Sequence, residues 1–408
     1  MTAGGGMWDR APPAEAEELR LFLVAGEHSG DALGAKLMSV LNARRRGRIR
    51  YLGVGGPLMT QQGLVSQFPM EDVAVMGIGG ILARLPTILR RIHSTAAAAV
   101  AAEPSALLII DSPEFTHPIA RRVRRRAPHV PIIDYVSPSV WAWRPGRARR
   151  MRAYIDHVLA LLPFEPAAHE RLGGPPCSYV GHPLVERLSW IAELDTAPLT
   201  RRLGLAPDTP LLVVLPGSRS SEVKRLIGPF GEAVAQLAAE RPRLEVVMPV
   251  VGSVRGLIEQ RLQAWPKRPL LVEGEEDKFR AFKLARAALA ASGTVTLELA
   301  VGGTPMAVAY KVDAVMAPAL RRMIKARSII LANLVLGDNA FPELIQERCT
   351  PANLAQALAP LIDGGPVREA QVAALAQVPG CLLLPQGTPS EAAADIVLRY
   401  ADGGRTSR

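Results

Sequence analysis

The chain has 408 residues, 49% apolar and 21% charged, with 48 Lys+Arg against 38 Asp+Glu for a formal charge of +10. That length suggests two or three domains, and the composition supports sizeable cores, which excludes a disordered or fibrous protein. Aromatics at 5% argue against an aromatic-platform binding module, and the three scattered cysteines, Cys177, Cys349 and Cys381, write neither a disulfide framework nor a cysteine zinc site.

In chain order, a Gly/Pro/Glu-rich tail over residues 1–19 precedes the first apolar run, Leu21 to Ala25. That run is too short for the apolar core of a signal peptide, and Gly, Pro or Arg interrupts every longer one before the roughly 20 residues that a spanning helix needs. The expectation is a cytoplasmic protein whose membrane contact is peripheral. Strand-like runs recur at Tyr51 to Val54, Ala106 to Ile110, Ile132 to Val136, Val158 to Leu162 and Tyr179 to Val180, each followed by a turn and a helix-like stretch. The pattern restarts with Leu211 to Leu215, Leu244 to Val250, Leu270 to Val272, Ala287 to Ala291 and Met306 to Tyr310. Such alternation predicts parallel α/β units, and the weakly patterned Leu184 to Pro210 separates the two series. The expected architecture is α/β, with one doubly wound Rossmann-like domain over residues 20–185, a second over 186–401 and a tail at 402–408. Two such domains facing each other make a cleft lined by the loops that follow the strands.

Those loops carry the candidate chemistry. Gly26-Glu27-His28-Ser29-Gly30-Asp31 is a tight strand-to-helix turn with Leu33, Leu37 and Leu41 at core spacing behind it. Its amides suit an anion or a sugar oxygen, while Ser29 or Asp31 serves equally as a helix cap, and the spacing is not the dinucleotide G-x-G-x-x-G. Asp111 follows directly on Ile110, where a cleft-facing carboxylate acts as a general base or, in the plainer reading, caps the next helix. Val136 to Arg144 sets Trp141 and Trp143 between prolines and arginines, either as a rigid wall or as packing anchors, and His182 is as much a hinge residue as a catalytic one. In the second series, Ser218, the helix amides after it and Arg219 form a diphosphate clamp without P-loop spacing. Gly293 and Thr294 make a second turn of this kind, and Glu298 one helical turn on either accepts ribose hydroxyls or complements the helix dipole. The histidines show no metal-ligand spacing and no D-x-D occurs, so no metal is expected.

The positive charge is local. Between Arg121 and Arg152 stand ten arginines and one acid, Asp134, and Arg44, Arg45, Arg46, Arg48 and Arg50 form a second cluster. Such fields attract phosphates of nucleic acid, lipid or substrate, or are simply solvated faces.

Taken together, the stretches VAGEHSGD, GVGGPLM, IDSPEF, YVSPSVWAWR, LPFE, VGHP, LPGSRSSEV, ASGTVTLELA, ANLVLGDN and PELIQE run in order from Val24 to Glu347. In these the chain resembles the lipid-A-disaccharide synthase family, inverting glycosyltransferases with the GT-B arrangement of two Rossmann-like domains. The resemblance implies UDP-2,3-diacylglucosamine as donor, 2,3-diacylglucosamine 1-phosphate as acceptor, a β-1,6 disaccharide 1-phosphate and UDP as products, and no cofactor. At matching positions it implies Asp111 as general base, UDP contacts at Arg219, Glu298 and Asn333 beside Ser218, Gly293 and Thr294, and acceptor or sugar contacts at Glu27, Ser29, Gly30 and Asp31. Acylated substrates also give a meaning to the apolar, basic-flanked stretch from Val75 to Arg91. Ile81, Leu82, Leu85, Ile88 and Leu89 are expected to meet acyl chains and the inner leaflet of the cytoplasmic membrane, the plainer reading being a core helix. The family also suggests a homodimer that exchanges C-terminal parts, with residues 351–400 as the segment, and no nucleic-acid partner. The alternatives are a UDP-sugar epimerase of the same architecture, which has no need of the apolar stretch, and a non-enzymatic basic binding protein, which leaves Asp111, Arg219 and Glu298 unexplained.

Overall fold

The computed structural model describes residues 18–73, 78–206, 208–313 and 327–403, without the side chains of 78–84. The apolar runs form two wholly parallel sheets. The first comprises β1 (Leu19–Ala25), β2 (Ile49–Val54), β3 (Val65–Ser66), β4 (Ala106–Ile110), β5 (Ile132–Tyr135), β6 (His157–Ala160) and β7 (Cys177–Tyr179), in the order β3-β2-β1-β4-β5-β6-β7. The second comprises β8 (Leu211–Leu215), β9 (Glu245–Pro249), β10 (Leu270–Val272), β11 (Ala287–Ala291), β12 (Met306–Tyr310) and β13 (Glu343–Ile345), in the order β10-β9-β8-β11-β12-β13. Helices cover both faces of each sheet, so the central strands β4, β8 and β11 are buried along their whole length. That double burial explains why they read as unbroken apolar runs rather than as alternating ones.

Two strands were not expected, β3 and β13. Both are edge strands of two or three residues, and Val65 in β3 is 75% exposed, so neither has the buried apolar run by which the others were recognised.

The boundary at the C-terminus also differs from the expectation of one domain over 186–401. The helix Pro366–Leu382 packs Leu375, Val378 and Leu382 into the second domain, but the helix Pro389–Gly403 crosses back. Its Ala393, Ala394, Ile396, Val397 and Ala401 join Leu37 and Leu41 in the core of the first domain. Two of the arginines read as part of an anion-attracting cluster secure this return: Arg44 pairs with Asp395 and Arg45 with Asp402. A polar seam continues along the crossing, where Tyr179 Oη donates to the Leu382 carbonyl at 2.6 Å and Ser390 Oγ to Glu186 at 3.0 Å.

Because Val397 is fully buried in that core, Val397→Asp places an unpaired carboxylate there. The expected result is a loss of roughly 3–5 kcal/mol of stability in denaturant unfolding, with Val397→Leu costing far less.

Candidate active site

Strand order reverses between β1 and β4 in the first sheet and between β8 and β11 in the second. At such a switch point the flanking crossover helices diverge, leaving a crevice outside the carboxyl ends of the strands. Glu27 and Asp111 follow β1 and β4; Arg219 and Gly293 follow β8 and β11.

In the first crevice the two strand-end loops approach closely. A side chain on Gly26 would place its Cβ 2.9 Å from Ser112 Cβ, so glycine is required there by the neighbouring loop. Asp111 and Ser112 both adopt left-handed backbone, with φ of 55° and 45°. Non-glycine residues in this region cost about 1 kcal/mol or more each, and persist where surrounding contacts over-determine them. Those contacts are present: Asp111 N donates to the Tyr135 carbonyl at 3.0 Å, Ser112 N to Asp111 Oδ1 at 2.7 Å and Ser29 Oγ to Asp111 Oδ2 at 2.7 Å. The Asp111 carboxylate is thus held by a hydroxyl and an amide, half-buried at the crevice. Beside it, desolvation raises the pKa of Glu27 and the charge of Asp111 adds to the rise, while the positive charge of Arg219 opposes it. Glu27 therefore takes up a proton more readily than a free glutamate, and it does so facing an arginine of the other domain.

Gly30 and Asp31, expected as acceptor contacts, lie beneath the surface instead. Asp31 is 2% exposed, and its carboxylate accepts from the backbone amides of Gly56, Leu58 and Met59 at 2.9–3.0 Å. It caps the helix Pro57–Gln61 of a neighbouring loop, which is the helix-cap alternative transferred from its own helix to another. Gly30 is buried against the Ile110 carbonyl oxygen.

The second crevice opens into a cavity of about 900 Å³ lined by Ser218, Arg219, Gly293, Thr294 and Glu298, with Ser139 and Trp141 contributed by the first domain. Arg219 precedes the helix Ser220–Glu240 and its side chain is 67% exposed. Glu222 reaches back to it, accepting from Ser218 N at 3.2 Å, Arg219 N at 3.3 Å and Arg219 Nη1 at 3.0 Å. Gly217, at φ of 115°, leaves the room this needs, since a Cβ there would lie 2.6 Å from Glu222. The chain's own carboxylate thus occupies donors that an incoming anion would use. Glu298 is held by Lys278 at 2.8 Å, and the space around Gly293 is open, so the backbone there is accessible to close approach. Asn333, expected beside UDP, is instead 2% exposed, and both ends of its amide are taken by the Phe341 backbone at 2.9 and 3.0 Å. It fixes the loop after β12 and is not open to the cavity.

Lys278 and Glu222 also line the cavity and were not among the expected residues. Lys278 lies in a helix with three acids in its first turn and carries no motif, so only the fold brings it to Glu298.

A family model described as lipid-A-disaccharide synthetase matches residues 21–379. The chain belongs to this family. A lipid-A-disaccharide synthase of Nitrobacter hamburgensis is 51% identical over 386 residues, covering 95% of this chain and 96% of the relative. One from Rhodopseudomonas palustris strain HaA2 is 52% identical over 379 residues, covering 93% and 95%. Among solved structures, UDP-GlcNAc 2-epimerase of Neisseria meningitidis bound to UDP-GlcNAc is similar at a TM-score of 0.61 and 13% identity, covering 93% of this chain and 99% of the epimerase. At that identity the likeness is one of fold, the GT-B arrangement of two doubly wound domains. Like the rest of the lipid-A-disaccharide synthetase family, this chain is a glycosyltransferase of lipid A biosynthesis, which uses a nucleotide-sugar donor and a sugar-phosphate acceptor. The epimerase and the non-enzymatic alternatives are not favoured.

Of the stretch from Val75 to Arg91 expected at the membrane, residues 78–91 fall on the helix Ile78–Ala101 and residues 75–77 lie outside the described residues. Leu85 and Leu89 are 42% and 44% exposed, whereas Ile88 packs toward the core, and the side chains of Ile81 and Leu82 lie outside the described residues. Among the described residues no helix is long and apolar enough to cross a membrane. Several arginines of the basic run are engaged internally: Arg121 donates to Tyr154 Oη at 3.1 Å, Arg124 pairs with Asp156, and Arg147 contacts Glu114 at 3.2 Å.

The different placements of two neighbouring aspartates can be separated by measurement. Asp31→Ala frees buried amides and is expected to lower unfolding stability by about 2–3 kcal/mol. Ser29→Ala, which removes the hydroxyl bound to Asp111, is expected to leave the urea midpoint nearly unchanged while reducing turnover.

Proposed function

We propose that this chain transfers the sugar of UDP-2,3-diacylglucosamine to the 6-hydroxyl of 2,3-diacylglucosamine 1-phosphate, releasing the β-1,6-linked disaccharide 1-phosphate and UDP. The observation that carries this reading is the apposition of two strand-end crevices, one holding an oriented carboxylate and the other an exposed arginine at the rim of a donor-sized cavity. In this reading the nucleotide diphosphate takes Arg219 from Glu222, and Glu298 turns from Lys278 to the ribose. Ser218, Gly293 and Thr294 supply the polar rim.

The acceptor lies over Glu27, Ser29 and Asp111. Asp111 takes the proton of the acceptor hydroxyl as its oxygen forms a bond to the anomeric carbon, and the bond from that carbon to the diphosphate oxygen breaks with its electron pair leaving on UDP. Attack from the face opposite UDP inverts the anomeric centre. Arg219 neutralises the charge that grows on the departing diphosphate, a task that preorganised cations perform without reorganisation in the transition state. The reading includes no metal, so a chelator is expected to leave turnover unchanged.

Asp111→Asn is expected to lower kcat by about 10²- to 10⁴-fold, the usual contribution of a general base, while UDP affinity measured by calorimetry stays near that of the parent. Near-normal turnover would move the base to Glu27. Arg219→Ala is expected to weaken UDP binding and lower kcat together.

The reading extends to the inner leaflet of the cytoplasmic membrane, where the acyl chains of both substrates reside, and to a homodimer that light scattering can detect. Leu85 and Leu89 present apolar surface that acyl chains can cover, each buried methylene contributing about 0.8 kcal/mol. The double substitution Leu85→Asp, Leu89→Asp is expected to release the protein from vesicles of anionic phospholipid in a sedimentation assay. Equal sedimentation of parent and variant would remove this segment from the membrane reading.

A further inference from the structure

The donor cavity is built almost entirely by the second domain, and Ser139 and Trp141 are the first-domain residues in its wall. Trp141 lies on the loop between β5 and the helix Gly146–Met151, and this loop is not held by its own conformational preferences. It opens with Val136 at φ of 87° and closes with Arg144 at φ of 54°. A β-branched residue at positive φ is an outlier that only surrounding contacts maintain.

Those contacts converge on one short helix, Glu165–Arg171. Trp141 Nε1 donates to Glu165 Oε1 at 3.1 Å, and the Leu162 amide donates to Glu165 Oε2 at 3.0 Å. Ser137 Oγ and His169 Nε2 are 2.8 Å apart, one helical turn further on. The indole packs edge-on against Phe164 with ring centres 5.1 Å apart, and both rings pack on the core of the second domain. One side of Trp141 therefore seals the junction of the domains and another faces the cavity. Glu165 itself is 3% exposed. A solvent-excluded carboxylate is retained at a cost unless its acceptors are used, and here one oxygen takes the Trp141 N–H of this loop and the other the Leu162 amide of the turn before its own helix.

We propose that Glu165 is a positioning residue for the donor: its carboxylate holds the Trp141 indole as the first-domain wall of the nucleotide-sugar cavity. The inference rests on the reading of that cavity as the donor site. Trp141 supplies a flat apolar surface toward the donor and its N–H is spent on Glu165, so the ring cannot rotate out without leaving a buried carboxylate short of a partner.

The surroundings make this link sensitive to pH. Burial pushes the Glu165 carboxyl up to about 7, the nearby charge of Asp134 adds to the rise, and the amide and indole donors oppose it. The titratable groups around it are Asp134 of β5, Cys177 and Tyr179 of β7, and His169 on its own helix, none of them a fixed cation. Protonation converts one of its two acceptor oxygens into a donor, and one of its N–H partners then loses its acceptor. Donor binding is therefore strongest above this range and weakens as pH falls through it.

The test uses the full chain with steady-state turnover of the UDP-sugar and calorimetric UDP binding from pH 6 to 8.5, on Glu165→Gln, Trp141→Phe and the double variant. Loss of one charge-assisted hydrogen bond predicts an increase in donor KM of about tenfold for each single variant at pH 8, with kcat little changed. The double variant is expected to be no worse than the single ones, because Glu165→Gln replaces one of two acceptor oxygens by a donor and Trp141→Phe removes the indole N–H, so both disturb the same link. The parent's donor KM rises as pH falls, whereas that of Glu165→Gln is flat. Donor KM equal to the parent's in Trp141→Phe overturns the proposal, as do additive effects in the double variant. Trp141→Phe also carries the test alone if Glu165→Gln does not fold, since an aromatic side chain remains, smaller than the indole and without its N–H. Arg219→Ala and Glu298→Ala separate the two readings. If both bind UDP as the parent does, the cavity is not the donor site, and the inference falls with that reading. If both lose UDP while the Glu165 and Trp141 variants do not, the positioning role alone fails.

Discussion

Every strand in both sheets is parallel, and that constraint governs the rest of the molecule. Parallel neighbours need a crossover helix between them, so all strand ends of one sense fall on the same edge of a sheet. Each sheet therefore gathers its functional loops on one side, and a chain built from two such sheets can do chemistry between them when those sides face each other. The chain secures this facing with few contacts: Trp141 and Phe164 pack on the second core, Tyr179 binds the end of one C-terminal helix, and the next helix returns to the first sheet. The last helix is thus a strap, fastened by Arg44 and Arg45, across the joint of the two domains.

Charge is distributed in the same economical way. Glu27 and Asp111 place two carboxylates on one side of the joint, and the charge of Arg219 on the other side acts on Glu27. In the free protein three charged groups of the cleft already have partners: Ser29 for Asp111, Glu222 for Arg219, Lys278 for Glu298. In the proposed reaction, binding a diphosphate amounts to an exchange of anions on Arg219, and the desolvation cost of an unpaired charge is avoided in both states. On that reading the internal partners also hold the side chains near their working positions, which reduces the ordering cost on binding.

Most strands and the switch-point loops were legible because doubly covered parallel strands are apolar throughout and end in glycine or acid. That Asp111 and Arg219 stand at the two crevices could be read from their place directly after such runs. Asp31 and Asn333 could not. A carboxylate in a strand-to-helix turn looks the same whether it faces a ligand or caps a helix, and the partner of Asp31 lies 25 or more residues away. An asparagine in a shared motif similarly looks like a ligand contact until Phe341 is seen to occupy both ends of its amide. Glu165 and Lys278 gave no local signal, because their roles depend on residues brought near by crossovers.

The sequence by itself determined the class of fold, the two series of strands and the family, since these follow from local burial patterns and from motifs that are contiguous in the chain. Only the tertiary structure decided which polar residues line the cleft and which support it, and where the last helix belongs. The Ala/Leu-rich pattern of that helix suits either domain, and what assigns it to the first is the groove beside Leu37 and Leu41 together with the two arginines at its rim. Apolar periodicity specifies that a face is buried; it does not name the surface that buries it.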